Sequence, residues 1–249
     1  MQLINHRKSP AGRRSKSPTV FIREGLYTIK NITNDKEKIM AYKLRHKVFS
    51  QELGWVPHSS SSLEMDNYDE NAAFLGVFDR NKKLKAFLRI VTPRNTFMLE
   101  KEFPYLLSPG HKVRKERDTI EISRLCVAPE ARNEKFSGNF GIHSISMMLH
   151  KGVYHWCQKN GIRYLYLVVE EKVYRLLCAK GFPCKLVGQS VVMPDGVIAV
   201  AAIMDLREFE EINMIKRPKM FAWFKQDQLS QLLTRLPQHE SCLPHQALS

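Results

Sequence analysis

Residues 120–132 read IEISRLCVAPEAR, and the way two charges fit inside this run decides the fold and the chemistry together. Ile120, Ile122, Leu125, Cys126 and Val127 have strand composition and Pro129 closes the segment, yet Glu121 and Arg124 sit within it. In a regular strand alternate side chains face opposite sides of the sheet, so residues three apart point away from each other. A bulge between them resets the alternation and turns both toward one cleft, and bulges are frequent beside active sites. The plain alternative is an edge strand with Glu121 in solvent and Arg124 in a surface ion pair contributing roughly 0–1 kcal/mol.

The segments upstream add further charges in apolar settings. Asn34 and Asp35 can cap a helix whose apolar positions are Ile39, Met40, Leu44, Val48, Phe49 and Leu53, with Gly54 where a left-handed residue ends it. Within LRHKVFSQELGW at 44–55, Arg45 and Phe49 stand one helical turn apart and Trp55 follows the helix end. Taken alone, that is an ordinary amphipathic border. The next segment, SSSSLEMDNYDEN, is too long and polar for a simple connector and supplies Asp66 and Asp69. AAFLGVFD and LKAFLRIV flank RNKK as a hairpin, and the second run carries Arg89 among apolar residues. Charges set in strands and beside aromatics, with two loop acids, describe a polar pocket.

Downstream, Ser137 and Gly138 can start a helix through Ile142, Ile145, Leu149, Val153 and Trp156 that ends at Asn160 and Gly161. RYLYLVV reads as a strand, VYRLLCAKG as a short helix ended by Gly181, and CKLVGQSVVM with VIAVAAIMDL as a final strand pair about Pro194, Asp195 and Gly196. From residue 210 the chain reads as a mixed extension with one helix between Phe221 and Leu236. This order predicts an α/β protein with a mixed, mostly antiparallel sheet flanked by helices. The expected organisation is a basic tail over 1–18, one domain over 19–209 and a C-terminal extension over 210–249.

With 249 residues, 43% of them hydrophobic, the chain can bury a full core, and collagen-like, disulfide-rich and wholly disordered classes are excluded. No apolar run reaches the roughly 18 residues of a membrane span, and the N-terminus lacks the apolar core of a secretory signal, so a cytoplasmic location is expected. Cys126, Cys157, Cys178, Cys184 and Cys242 are odd in number and form no CxxC pair, which supports neither a disulfide framework nor a zinc site, and no metal is expected. The net charge of +14 admits nucleic acid, an anionic membrane surface or an acidic carrier protein as partner. Part of that charge sits in the tail, on Arg7, Lys8, Arg13, Arg14 and Lys16. A nucleic-acid-binding module predicts basic and aromatic residues interleaved on one face, whereas acids, Asp66, Asp69 and Glu121, are among the most distinctive charges here.

The ordered set Arg45, Phe49, Trp55, Asp66, Asp69, Arg89, Phe103, Glu121 and Arg124, set in RHKVF, LGW, MDNYD, MLEKEFPYLL and EISR, resembles the acyl-homoserine lactone synthases, the autoinducer-synthase (LuxI-type) family. The likeness spans about residues 25–205. It implies a three-layer GNAT-like N-acyltransferase fold and a two-substrate reaction. An acyl chain arrives as a thioester on acyl carrier protein, or on coenzyme A as in some relatives. The amine of S-adenosylmethionine, a substrate and not a cofactor, attacks it, and lactonisation then releases methylthioadenosine to give a quorum-sensing autoinducer. By the same resemblance Glu121 and Arg124 are catalytic, with Glu121 accepting the amine proton. Arg45, Phe49, Trp55, Asp66, Asp69, Arg89 and Phe103 bind substrate. Arg132, Lys135, Lys151 and Lys159 either steer an acidic carrier or form a solvated helix face. EARNEKFSGNFG shows no pyrophosphate-cradling glycine loop, which suits a carrier-protein donor. Glu170 and Glu171 stand where members using 3-oxo acyl chains tend to carry Thr, which argues against that substituent. The related N-acyl amino acid synthases share the EISR strand and release an open-chain product, and they are the alternative reading.

Overall fold

The computed structural model describes residues 19–138 and 140–233, with no side chain placed beyond 226. The basic tail, Cys242 and the end of the helix expected to reach 236 lie outside the described residues. In chain order the elements are β1 (Phe21–Glu24), β2 (Tyr27–Ile32), α1 (Asp35–Arg45), β3 (Ala73–Phe78), β4 (Leu84–Val91), α2 (Met98–Lys101) and β5 (Thr119–Val127). They continue as β6 (Lys135–Gly138), β7 (Gly141–Ser144), α3 (Ile145–Asn160), β8 (Tyr164–Glu170), α4 (Glu171–Ala179), β9 (Cys184–Leu186), β10 (Val191–Val192), β11 (Ile198–Asp205), α5 (Leu206–Lys216) and α6 (Pro218–Leu233).

The sheet runs β1-β2-β3-β4-β5-β8-β11-β10, with β9 also on β11, and β6 and β7 form a separate hairpin. Its neighbours pair antiparallel except β5 and β8, which are parallel in the register Thr119↔Tyr164 to Ile122↔Leu167. β4 is buried along its whole length, as a strand covered on both faces must be. Alternation sends Ala86, Leu88 and Ile90 to one side and Phe87, Arg89 and Val91 to the other. α3 lies on the first side, where Gly152 lets it approach Ile29 and Leu75. α1 lies on the second, its Tyr42 ring 6.0 Å from Phe74 and its Arg45 guanidinium 5.8 Å from the Phe87 ring. Helix, sheet and helix thus make three layers. Beyond α1 on that second side, a smaller apolar cluster gathers Val91, Phe97, Leu99, Leu106, Tyr166, Val187, Ala199 and Ala201.

Several local expectations are corrected. α1 begins where Asn34 accepts a bond from the Glu37 amide at 2.9 Å, then passes into a π-helical turn, His46–Glu52, with Leu53 N donating to Val48 O at 3.0 Å and Gly54 at φ +66°. The extra residue in that turn rotates the stripe beyond it, at Leu53, while Ile39 and Met40 already lie on the outer face of α1. Ile39, Met40 and Leu53 are exposed, while Arg45, Val48 and Phe49 are buried. The helix expected from Ser137 starts instead at Ile145, because Lys135–Gly138 and Gly141–Ser144 pair as the β6–β7 hairpin and Ser144 provides the cap, its hydroxyl accepting from Met147 N at 3.4 Å. Ile142, assigned to the helix stripe, is 70% exposed on the hairpin. CKLVGQSVVM is two strands, not one, because the backbone at Gly188 runs against Leu106 O, where a Cβ would lie 2.0 Å from that oxygen. The extension after 210 packs into the main core through Trp223 and Phe224. Lys151 is buried in an ion pair with Glu24 and lies 4.8 Å from the Trp223 ring, so it faces neither solvent nor a carrier.

Candidate active site

Three arginines from three elements converge on three loop carboxylates. Arg45 ends α1, Arg89 lies in β4 and Arg124 in β5, while Glu64, Asp66 and Asp69 come from the long loop between the π turn and β3. The loop is shaped by its own acids. Asp66 accepts from Tyr68 N at 3.0 Å and Asp69 accepts from Asp66 N at 2.9 Å, a reciprocal cap that turns both oxygens of Asp66 and the second oxygen of Asp69 toward the arginines.

β5 bends to bring Arg124 in. Its pairing with β4 runs Ile122↔Ile90 and Ser123↔Arg89 and then jumps to Cys126↔Phe87, so Arg124 and Leu125 oppose Leu88 alone. This is a bulge, and Arg124 occupies its left-handed position at φ +55°. The side chain turns to the same side as Glu121, and the two meet around Met98.

The network is dense. Arg45 donates to Glu64 through Nε and to Asp69 Oδ1 through Nη1 at 2.7 Å. Arg89 Nη1 donates to Asp66 and, at 2.8 Å, to Asp69 Oδ1, while its Nε reaches Ser123 Oγ at 2.9 Å and its Nη2 the Met98 sulfur at 2.9 Å. Arg124 donates to Glu64 at 3.1 Å through Nε and to Asp66 at 2.9 Å through Nη2. Burial alone pushes the carboxyls of Glu64 and Asp69 up, but the hydrogen bonds and charges of the arginines outweigh it and hold both below the usual carboxylate range. Burial likewise opposes the charge of Arg45, and its bonds to Glu64 and Asp69 reverse that and hold its pKa above the usual guanidinium value.

Glu121 borders this network and is held differently. Its two oxygens accept from Met98 N at 2.7 Å and Leu99 N at 2.8 Å, the first amides of α2, and its side chain is 1% exposed. Burial pushes its carboxyl up to about 7, against the pull of those amides and of the Arg89 and Lys115 charges. Beyond it, Leu99 and its cross-strand neighbour Tyr166 belong to the second apolar cluster. A buried carboxyl therefore sits between a charged chamber and an apolar wall.

Of the residues expected to act, Arg45, Asp66, Asp69, Arg89 and Arg124 share one network. Phe49 lies under Arg124, whose guanidinium is 5.6 Å from its ring, and Trp55 is 6.2 Å from Phe49 and 42% exposed, an open wall more than a core residue. Phe103 packs with the second cluster. Glu64, Ser123 and Met98 were not foreseen. The LEMD spacing, with Glu64 two residues before Asp66, is the signal that points to the first of them.

The chain is similar in sequence and fold to known proteins. A family model described as autoinducer synthase matches residues 29–213. An acyl-homoserine-lactone synthase of Aeromonas hydrophila is 28% identical over 157 residues, covering 63% of this chain and 74% of that protein. The fold is shared with TofI in a ternary complex with an inhibitor and MTA, at a TM-score of 0.60 and 19% identity over 74% of this chain and 95% of TofI. It is shared equally with BjaI, a CoA-dependent acyl-homoserine lactone synthase solved with SAM and isopentyl-CoA, at a TM-score of 0.60 and 19% identity over 76% of this chain and 80% of BjaI.

Proposed function

The chain belongs to the autoinducer synthase family of acyl-homoserine lactone synthases, which are acyltransferases, and from that premise we propose that it moves an acyl group from a carrier-protein thioester to the amine of S-adenosylmethionine and closes the lactone. The observation that carries this reading is the position of Glu121, buried between the ion network and the apolar cluster, with both oxygens on backbone amides. An acceptor poised near neutrality suits removal of an ammonium or amine proton at physiological pH.

In the first step the amine nitrogen attacks the thioester carbonyl, the C–S bond breaks, the carrier leaves as a thiolate, and the proton lost by the nitrogen passes to Glu121, which can return it to the departing sulfur. In the second, a carboxylate oxygen of the acylated methionine attacks its own side-chain γ-carbon, the bond from that carbon to the sulfonium sulfur breaks, and methylthioadenosine departs with the electron pair. The arginines suit the substrate carboxylate through their forked donors, and the acids suit the ammonium and sulfonium charges. The network is self-paired without substrate, so binding exchanges ion partners instead of exposing bare charges to an apolar interior. Phe49 and Trp55 flank the charged chamber, and Phe103 with the second cluster lines the acyl side. The net charge of +14 supports an acidic carrier as donor, and so does the β6–β7 hairpin standing in place of a glycine-rich phosphate cradle.

The test supplies acyl-carrier and acyl-coenzyme A thioesters in parallel with S-adenosylmethionine, and follows methylthioadenosine and extractable product by mass spectrometry. Lactone with methylthioadenosine from the carrier thioester is expected. Acyl amide without methylthioadenosine would replace this reading with an open-chain synthase, and no product from either donor would overturn it. Glu121→Gln should lower turnover by about 10²–10⁴-fold.

A further inference from the structure

The base is carried by a turn, and the turn is carried by a lysine. α2 is four residues long and cannot hold itself, since so short a helix makes few internal bonds. Its start is fixed from outside. Glu100 Oε2 accepts from Phe97 N at 2.8 Å and from Lys115 Nζ at 2.7 Å, and the same ammonium donates to Asn95 O at 2.6 Å and lies 3.7 Å from the centre of the Phe97 ring. The residues so clamped, 95 to 100, enclose Met98 and Leu99, whose amides hold both oxygens of Glu121.

We infer that Lys115 and Glu100 are positioning residues for the acyl-transfer step: they fix the α2 turn against β5 and set the field in which Glu121 takes its proton. The inference rests on the assignment of Glu121 as base. The charged and titratable groups facing Glu121 are Arg89 from β4, Arg124 from its own strand, Tyr68 from the loop turn with Glu102 bonded to it, and Tyr166 from β8. Lys115 adds a cation from the connection between α2 and β5. Its charge opposes protonation of Glu121. Glu100 answers that charge.

The opposed signs give the test. The pH dependence of kcat/KM for methylthioadenosine release is measured for the wild type, Lys115→Met, Lys115→Arg and Glu100→Gln. Loss of the ammonium raises the proton affinity of Glu121, so the rising limb of the Lys115→Met profile should move to higher pH by about one unit, with the alkaline plateau largely kept. Lys115→Arg should return it. Glu100→Gln keeps an acceptor for Phe97 N and leaves Lys115 unanswered, so its limb should move to lower pH. If both variants keep the wild-type limb, or lose rate equally at every pH, the two residues are structural only and the inference fails. If Lys115→Met does not fold, the direction of the Glu100→Gln shift decides. A fully active Glu121→Gln enzyme would instead remove the base itself, which is a separate failure.

Discussion

Arg45 has no exposed surface, and its charge is tolerated because Glu64 and Asp69 answer it directly and Asp66 lies at 3.6 Å. Removing one member of such a set leaves the others buried with a charge unanswered, which costs more than the pair contributes. Asp69→Asn, which weakens bonds to both Arg45 and Arg89, should therefore lose about 3 kcal/mol of stability in denaturant unfolding, where an exposed pair such as Lys47–Glu130 should lose almost nothing. The acids also run in opposite directions with pH. Glu64 and Asp69, held low in the folded state, contribute stability that is present above their unfolded values and is lost on acidification. Glu121 is held high, so its ionisation weakens the fold as pH rises from 4.5 through about 7. The stability of Glu121→Gln relative to wild type, measured by unfolding at several pH values, should improve steadily across that window.

Strand β5 shows what sequence can and cannot announce. Glu121 and Arg124 were legible because a charge in an apolar run demands an explanation, and the bulge that unites them was one of two open readings until the register was seen. Glu64 was passed over although its spacing from Asp66 marks it, since a carboxylate in a serine-rich loop looks solvated until the loop folds over two arginines. The start of α3 was misplaced because Ser137 and Ser144 are equally good caps on paper, and the choice falls to the β6–β7 pairing and to the Phe136 ring resting on Gly25. The break between β9 and β10 depends on a contact from Leu106, distant in sequence. Gly188→Ala should push the 104–108 turn away, break the bond from Ser108 N to Val187 O, and cost about 1–3 kcal/mol. It should also raise KM for the acyl donor more than for S-adenosylmethionine, because that turn walls the second cluster, and steady-state kinetics with each substrate varied will show it.

At the scale of the whole molecule, the α/β class, the run of strands from β2 to β5 along the chain and the antiparallel bias follow from period and punctuation, while the β6–β7 hairpin and the end of the core do not. A boundary at 209 suits composition, yet α6 packs into the main core through Trp223 and Phe224, and Trp223 stacks on His143 of the β6–β7 hairpin at 3.7 Å with Lys151 and Glu24 behind it. Trp223→Ala should cost about 3–5 kcal/mol, read from denaturant midpoints, and a chain ended after 217 should suffer similarly.

The parallel joint between β5 and β8 has a bearing on how the protein comes to life at the ribosome. Thr119 waits for Tyr164, so the strand bearing Glu121 remains an unpaired rim until the hairpin and α3 have been made and have swung across. Closing so long a loop is slow, and a bare strand rim invites pairing with other chains. A nascent chain halted before residue 164 should therefore aggregate and lack activity, and the competent cleft is born late in synthesis.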